Sequence, residues 1–209
     1  MPPLEFLIPT FVILILSLSF HEAAHAWSAD RLGDPTARTL GRLTLNPLAH
    51  IDWIGTVLFP LIALTTGAPL IGWAKPVPVD PRNLRSPRRD FAIVALAGPV
   101  SNLILAAGLT VIFFLVHPGG ASQDEIGRAG LVLYNAIATN VLLAVFNMIP
   151  IPPLDGGNVA IGILPPQLAN LWVQLRPWGF LLLYAMLLTG VVGAIVRPVL
   201  SLVNSLLVV

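Results

Sequence analysis

Long apolar runs, separated by short polar segments, dominate the chain. Uncharged stretches cover residues 91–116, 129–154 and 177–196, and another apolar run extends over residues 6–27, interrupted only by a small polar cluster. At a rise of 1.5 Å per residue, about 20 helical residues cross the roughly 30 Å hydrocarbon core of a bilayer. The pattern therefore predicts an all-α integral membrane protein, a polytopic bundle with about four spanning helices.

Residues 53–74 are also uncharged, but they do not predict a continuous helix. The run contains the helix breakers Pro60, Gly67, Pro69 and Gly72. We expect this segment either to enter the membrane and return or to lie at its surface. The polar pieces between the apolar runs are too short to fold alone, so residues 1–209 are predicted to form a single membrane-embedded domain.

The composition agrees with a protein whose main solvent is the lipid bilayer. Of the 209 residues, 56% are hydrophobic and 10% are charged, whereas a soluble domain carries about 25% charged residues. The chain has no cysteine, which excludes thiolate metal ligands and a cysteine nucleophile. Its net charge of +1 gives no basis for nucleic-acid binding.

The candidate chemistry lies in the first apolar run, where His21, Glu22 and His25 form the pattern H-E-x-x-H. Residues i and i+4 share one face of a helix, so both imidazoles can reach one Zn²⁺ ion. Glu22 lies about 100° further round the helix, beside the metal but not bound to it, where it can act as a general base. Ionisable residues in a membrane helix are costly, which favours a metal site over a chance cluster at a helix end.

Catalytic zinc needs a third protein ligand, and the candidates are His50, His117 and the carboxylates. Asp155 stands out because three prolines within residues 150–153 end an apolar helix just before it. Irregular backbone at membrane depth is tolerated only where protein or a water-filled cavity surrounds it. An Asp-Gly pair in a surface turn would give the same pattern, so the residues alone leave this ligand open.

Taken together, two separated motifs resemble those of a known family. H-E-x-x-H in the first apolar helix is followed by N-x-x-P-x-x-x-L-D-G, which begins at Asn147 and ends at Gly156. This combination is similar to the site-2 protease family of intramembrane zinc metalloproteases. The segments GWAKPVPV and AGPVSN resemble its short bacterial branch, which has neither a PDZ insert nor a CBS pair.

The resemblance implies a ligand set and an activity. It implies that His21, His25 and Asp155 bind one Zn²⁺ per chain and that Glu22 is the general base. The implied substrates are transmembrane polypeptides, cleaved within or beside their membrane segments. Two other functions remain open, a catalytically inactive adaptor of the same fold and a metal transporter. An adaptor would be expected to lack one of these residues, and a transporter would need further ligands at other depths.

Several further polar residues lie in or beside the apolar runs. The amide of Asn147 could donate to the oxyanion of a tetrahedral intermediate, or it could equally join two helices. Asn102 and His50 are candidates for supporting the metal ligands, although helix packing and a local loop hydrogen bond are the favoured interpretations. Asn135 and Asn140 are interpreted as packing residues.

Orientation follows from the placement of the ligands and of the charges. If residues 53–74 do not span, the ends of the helices that carry His21 and Asp155 meet on one side of the membrane. Most of the 11 Lys and Arg residues lie between residues 28 and 90, on that same side. The positive-inside tendency makes that side cytoplasmic. We therefore expect a multi-pass protein of a prokaryotic plasma membrane, with its active site opening toward the cytoplasm.

Overall fold

The computed structural model describes residues 4–58, 62, 73–122 and 126–208, which form helices joined by short loops. The α-helices are α1 (Leu4–Leu32), α2 (Thr36–Thr39), α3 (Pro87–Val116), α4 (Gly127–Asn147), α5 (Asp155–Ile163), α6 (Pro166–Gln174), α7 (Gly179–Leu188) and α8 (Val191–Leu207). Within these ranges the only β-type pairing is one isolated bridge between Ala121 and Val208. The predicted all-α class is confirmed.

Four helical segments in the described part of the chain are long and apolar enough to cross a membrane. They are Ile8–Leu32, α3, α4 and Pro166–Leu188, which contains α6 and α7. The outer face of α3 carries exposed apolar side chains such as Ile104 and Leu115, as expected of a helix that contacts lipid. The described part of the chain therefore contains the spanning helices expected of a multi-pass membrane protein.

The apolar run at residues 177–196 is not one helix. The chain breaks at Thr189 and Gly190, where Gly190 adopts a φ of 79°, a left-handed conformation that favours glycine. α8 begins at the next residue and continues through Pro198 to Leu207. Hydropathy could not show this break, because the glycine lies inside an uninterrupted apolar run.

α3 is the central helix of the bundle, because it packs against α1, α4 and α5. Small buried residues on α3, including Ala92, Ala95, Gly98 and Ala106, allow the neighbouring helices to approach closely. Two apolar clusters fill the bundle at different levels. The first contains Ala106, Phe113, Ala121, Ile137 and Leu207, and the second contains Ile149, Leu154, Leu183, Val192 and Val196.

The two ends of the segment 53–74 lie side by side. The N–H of Trp73 donates to the carbonyl of Gly55 over 3.3 Å, and the hydroxyl of Thr56 donates to the carbonyl of Trp73 over 2.8 Å. A segment whose ends are hydrogen-bonded to each other begins and ends at the same depth, as the re-entrant or interfacial interpretation requires. Trp53–Leu58 form a π-helical turn, and most of the remaining interior lies outside the described residues.

A buried carboxylate joins the polar loops at this end of the bundle. Asp34 accepts hydrogen bonds from the N–H and hydroxyl of Thr36, from the N–H of Asp80 and from the side-chain amide of Asn83. Burial raises the pKa of Asp34, but these hydrogen bonds outweigh it and hold the pKa below its usual value. The contact with Asp80 holds the end of segment 73–80 against the loop that follows α1.

The proximity of the two ends of segment 53–74 predicts the membrane topology of its flanks. Single cysteines at the exposed positions Thr39 and Ser86, introduced into a chain that has none, should react alike with a membrane-impermeant thiol reagent on intact cells. Pro118→Cys, beyond the far end of α3, should behave in the opposite way. Unequal labelling of Thr39→Cys and Ser86→Cys would mean that residues 53–74 cross the membrane.

Candidate metal centre

Helix α1 and the first residue of α5 bring three potential metal ligands together. His21 and His25 lie one turn apart on α1, and Asp155 begins α5. The Nε2 atoms of His21 and His25 lie 3.0 Å and 3.4 Å from the same oxygen, Oδ2 of Asp155. The three ligand atoms lie within 4.8 Å of one another. The residues predicted to share one metal ion are thus neighbours in space, although His21 and Asp155 are 134 positions apart in the sequence.

Glycines after Asp155 set the start of α5. The helix α4 ends at Asn147, and the chain turns back on itself before α5 begins. A side chain at Gly156 would collide with the carbonyl oxygens of Met148 and Ile149. The L-D-G part of the motif therefore allows α5 to start directly against the preceding turn, which holds the Asp155 carboxylate toward α1.

Hydrogen bonds on the far side of each imidazole assign its proton. Nδ1 of His21 lies 2.6 Å from Oδ1 of Asn102, and Nδ1 of His25 lies 2.7 Å from the carbonyl oxygen of Val94. Both partners are acceptors, so Nδ1 of each ring carries a proton and donates it. When a ring is neutral, its lone pair is therefore on Nε2, the nitrogen that faces Asp155.

This arrangement fits a bound cation. Oδ2 of Asp155 is buried, and the two imidazole nitrogens converge on this one oxygen from the same side. Imidazole nitrogen and carboxylate oxygen are both ligands that zinc takes in proteins. Ligands bound tetrahedrally at zinc–ligand distances of about 2.0–2.1 Å lie roughly 3.3 Å apart, close to the separations found here. His21, His25 and Asp155 could therefore hold a zinc ion.

Glu22 lies beside this group but belongs to a different contact. Its Oε2 accepts a hydrogen bond of 3.0 Å from the backbone N–H of Val77. Pro76 and Pro78 flank Val77 and have no N–H, so Val77 supplies the single backbone donor of residues 76–78. The sequence analysis missed this contact, although the pattern P-V-P was the available signal.

The ligands and Glu22 line one cavity of about 600 Å³, within the usual range for binding sites. Apolar side chains from several helices form most of its wall, among them Leu14, Phe91, Phe146 and Leu183. The cavity can therefore accept an apolar polypeptide segment next to the ionisable groups.

The remaining predicted site residues occupy different positions. Asn147 lines the cavity, and one N–H of its amide donates to the carbonyl of Leu143 over 3.0 Å. The ring of His50 is hydrogen-bonded to the carbonyl of Thr44 and is not part of the metal-ligand group. Its own carbonyl accepts from the N–H of Lys75, so His50 supports the segment 73–80 through its backbone.

Gly98 makes room for the imidazoles. A methyl group at Gly98, on α3, would lie 2.6 Å from Nε2 of His21 and would collide with Nε2 of His25. The glycine is therefore part of the metal centre, and sequence reasoning alone did not identify it as such.

Known proteins resemble the chain over most of its length. The chain is 38% identical over 198 residues to "Putative zinc metalloprotease YwhC" of Bacillus subtilis strain 168, a match that covers 93% of this chain and 87% of that protein. The chain belongs to the site-2 protease family of zinc metalloproteases. The family membership inferred from the two motifs is thereby confirmed.

Two further relatives match a smaller share of the chain. The chain is 31% identical over 194 residues to "Putative zinc metalloprotease Rip2" of Mycolicibacterium smegmatis, covering 90% of this chain and 70% of that protein. It is 39% identical over 66 residues to "Putative zinc metalloprotease MJ0611" of Methanocaldococcus jannaschii, covering 32% of this chain and 31% of that protein. No protein-family model matches the chain, and no solved structure matches it.

The space at Gly98 predicts a selective effect on the metal centre. Gly98→Ala should weaken zinc binding by about 10- to 100-fold, because overpacking of this kind costs about 1–3 kcal/mol and the methyl group displaces both imidazoles. Gly108→Ala, on the same helix, introduces a methyl group with no described atom within 4 Å and should leave the zinc affinity unchanged. Chelator competition with the purified variants measures both. Equal zinc affinities would show that the imidazoles do not occupy the position found here.

Proposed function

We propose that the chain is a zinc-dependent intramembrane endopeptidase that hydrolyses peptide bonds within or beside transmembrane segments. One Zn²⁺ per chain is held by His21, His25 and Asp155. The observation that carries the proposal is the convergence of three potential ligand atoms, with a carboxylate beside them, in a cavity among apolar helices. The metalloprotease names of the relatives support the same reaction class.

The residues of the chain divide the reaction between them. Bound zinc supplies a Lewis acid that polarises a peptide carbonyl and lowers the pKa of water to about 7. Glu22 accepts a proton from the attacking water and passes it to the leaving amide nitrogen. Because Val77 holds one oxygen of this carboxylate, the other oxygen remains available for the proton. Asn147 has a second amide N–H for the developing oxyanion, a contribution of about 10²–10³-fold in kcat where such a donor operates.

The location of the site determines the substrate class. A transmembrane helix already satisfies its backbone hydrogen bonds internally, so a segment must unwind locally before a peptide bond reaches the ligands. The apolar cavity wall suits such a segment better than it suits a soluble peptide. Residues that weaken a helix, such as Gly or Pro near the cut, therefore favour cleavage.

The loops beside the site support a cytoplasmic opening. Arg82, Arg85 and Arg89 are exposed in the loop and first turn that lead into α3, at the end of the bundle that carries the metal ligands. The positive-inside tendency places such loops in the cytoplasm. We infer that water and products exchange with the cytoplasm of a prokaryotic cell.

The proposal predicts separate effects on zinc and on catalysis. In proteoliposomes that contain a fluorescently labelled transmembrane polypeptide with a central Gly-Pro pair, the wild-type chain should produce two fragments. Glu22→Gln should retain one zinc per chain and lose about 10²–10⁴-fold in rate, because Glu22 is a base and not a ligand. Asp155→Ala should lose both zinc and activity. Mass spectrometry identifies the cut, and elemental analysis counts the zinc.

The control substrate has Leu in place of the Gly-Pro pair and should be cleaved more slowly. Full activity of Glu22→Gln would remove Glu22 from the reaction. Zinc bound at full stoichiometry by Asp155→Ala would remove Asp155 from the ligand set. Zinc movement across the membrane without cleavage would favour a transporter, and substrate binding without cleavage by the zinc-loaded wild type would favour an adaptor.

A further inference from the structure

A buried network of polar side chains on three helices leads to His21. Ser17 of α1, Asn102 of α3 and Asn140 of α4 are 2%, 0% and 1% exposed. Oδ1 of Asn102 lies 2.6 Å from Nδ1 of His21, and Nδ2 of Asn102 donates to Oδ1 of Asn140 over 2.8 Å. Nδ2 of Asn140 donates to the hydroxyl oxygen of Ser17 over 2.9 Å. These hydrogen bonds thus connect α4, which carries no metal ligand, to the side of the His21 ring that faces away from Asp155.

The contacts of Asn140 fix the direction of the hydrogen bonds in this network. Nδ2 of Asn140 also donates to the carbonyl of Ala136, 2.9 Å away, and a carbonyl can only accept. The amide of Asn140 is therefore oriented with its oxygen toward Asn102. Asn102 must then donate through Nδ2, a contact that the carbonyl of Ser17 shares at 3.3 Å. Its oxygen is left to face His21.

We propose that Asn140, acting through Asn102, is a positioning residue that fixes the tautomer of His21 and thereby sets the zinc affinity. Because Oδ1 of Asn102 can only accept, the proton of the neutral His21 ring stays on Nδ1 and Nε2 keeps its lone pair for the metal. The inference rests on the zinc site of the proposed function. It gives Asn140, which the sequence suggested was a packing residue, a role at the metal centre that it does not touch.

Loss of Asn140 should act by releasing the amide of Asn102. Without the partner oxygen on α4, only the longer contact of 3.3 Å with the carbonyl of Ser17 holds that amide, so it can turn over more readily and direct its N–H groups at His21. Nδ1 must then accept, the ring proton moves to Nε2, and the nitrogen that faces the metal is blocked. Mutation of groups that orient a metal-bound histidine typically costs 10- to 100-fold in metal affinity.

The test is the zinc dissociation constant of the purified full chain in detergent, measured by competition with a chelator of known affinity. Asn140→Leu and Asn102→Leu should each raise the constant by about 10- to 100-fold. Asn102→Asp should bind zinc at least as tightly as the wild type, because a carboxylate can only accept from Nδ1 of His21. Asn135→Leu is the matched control, because it makes the same chemical change on α4 outside the hydrogen-bond network. It should leave the dissociation constant unchanged.

Rescue by aspartate separates this role from helix packing. If the asparagines only joined helices, Asn102→Asp would be no better than Asn102→Leu, since a carboxylate cannot donate to Asn140. That result would overturn the inference, as would a dissociation constant for Asn140→Leu within about twofold of the wild type. Thermal unfolding of the zinc-free variants shows which of them fold. If Asn102→Leu does not fold, Asn140→Leu and Asn102→Asp are sufficient to test the inference. A wild-type chain that bound no zinc would contradict the proposed function itself and this inference with it.

Discussion

The convergence of three potential metal ligands inside an apolar helix bundle is the constraint on which the rest of the structure depends. A charged side chain at the centre of a bilayer costs about 2.5–3.5 kcal/mol on insertion scales. Two such carboxylates, Glu22 and Asp155, would together cost roughly 5–7 kcal/mol, comparable with the whole stability of many domains. A divalent cation offsets this cost, since its charge with two neutral imidazoles and both carboxylates sums to zero. With such an ion bound, Glu22, His25 and Asp155 would be compatible with the apolar surroundings.

Bringing these groups together determines the path of the chain. The histidines lie late in α1 and Asp155 lies at the start of α5, so the intervening helices must return the chain to the same depth. The hydrogen bonds between Trp73 and residues 55 and 56 meet this requirement, because segment 53–74 ends where it began. α3 then supports the two imidazoles, with a glycine where they need space and polar acceptors where they need orientation.

The sequence was sufficient for the features that depend on local periodicity or on short motifs. The apolar runs predicted the α-helical membrane class, and H-E-x-x-H placed two imidazoles on one helix face by its spacing alone. Asp155 required the second motif, because an Asp-Gly pair by itself also fits a surface turn. The return of segment 53–74 was predictable from its prolines and glycines together with the need for the ligands to meet.

Features that depend on contacts between distant residues were not predictable in this way. Gly98 lies more than 70 residues from the imidazoles that it accommodates, and the contact of Val77 with Glu22 spans 55 positions. Asn140 looked like an ordinary packing residue, because its connection to His21 passes through Asn102. The end of α7 depends on the left-handed backbone of Gly190, which hydropathy does not register.

A metal ion bound by two histidines and a carboxylate should occupy this cavity, and the zinc K-edge X-ray absorption spectrum of the purified chain tests this most directly. The chain has four histidines and no cysteine, so the spectrum can be interpreted in terms of nitrogen and oxygen ligands. The account predicts two imidazole nitrogens at about 2.0–2.1 Å, with oxygen ligands completing the shell. A spectrum with no imidazole, or with more than two, would contradict the ligand set described here.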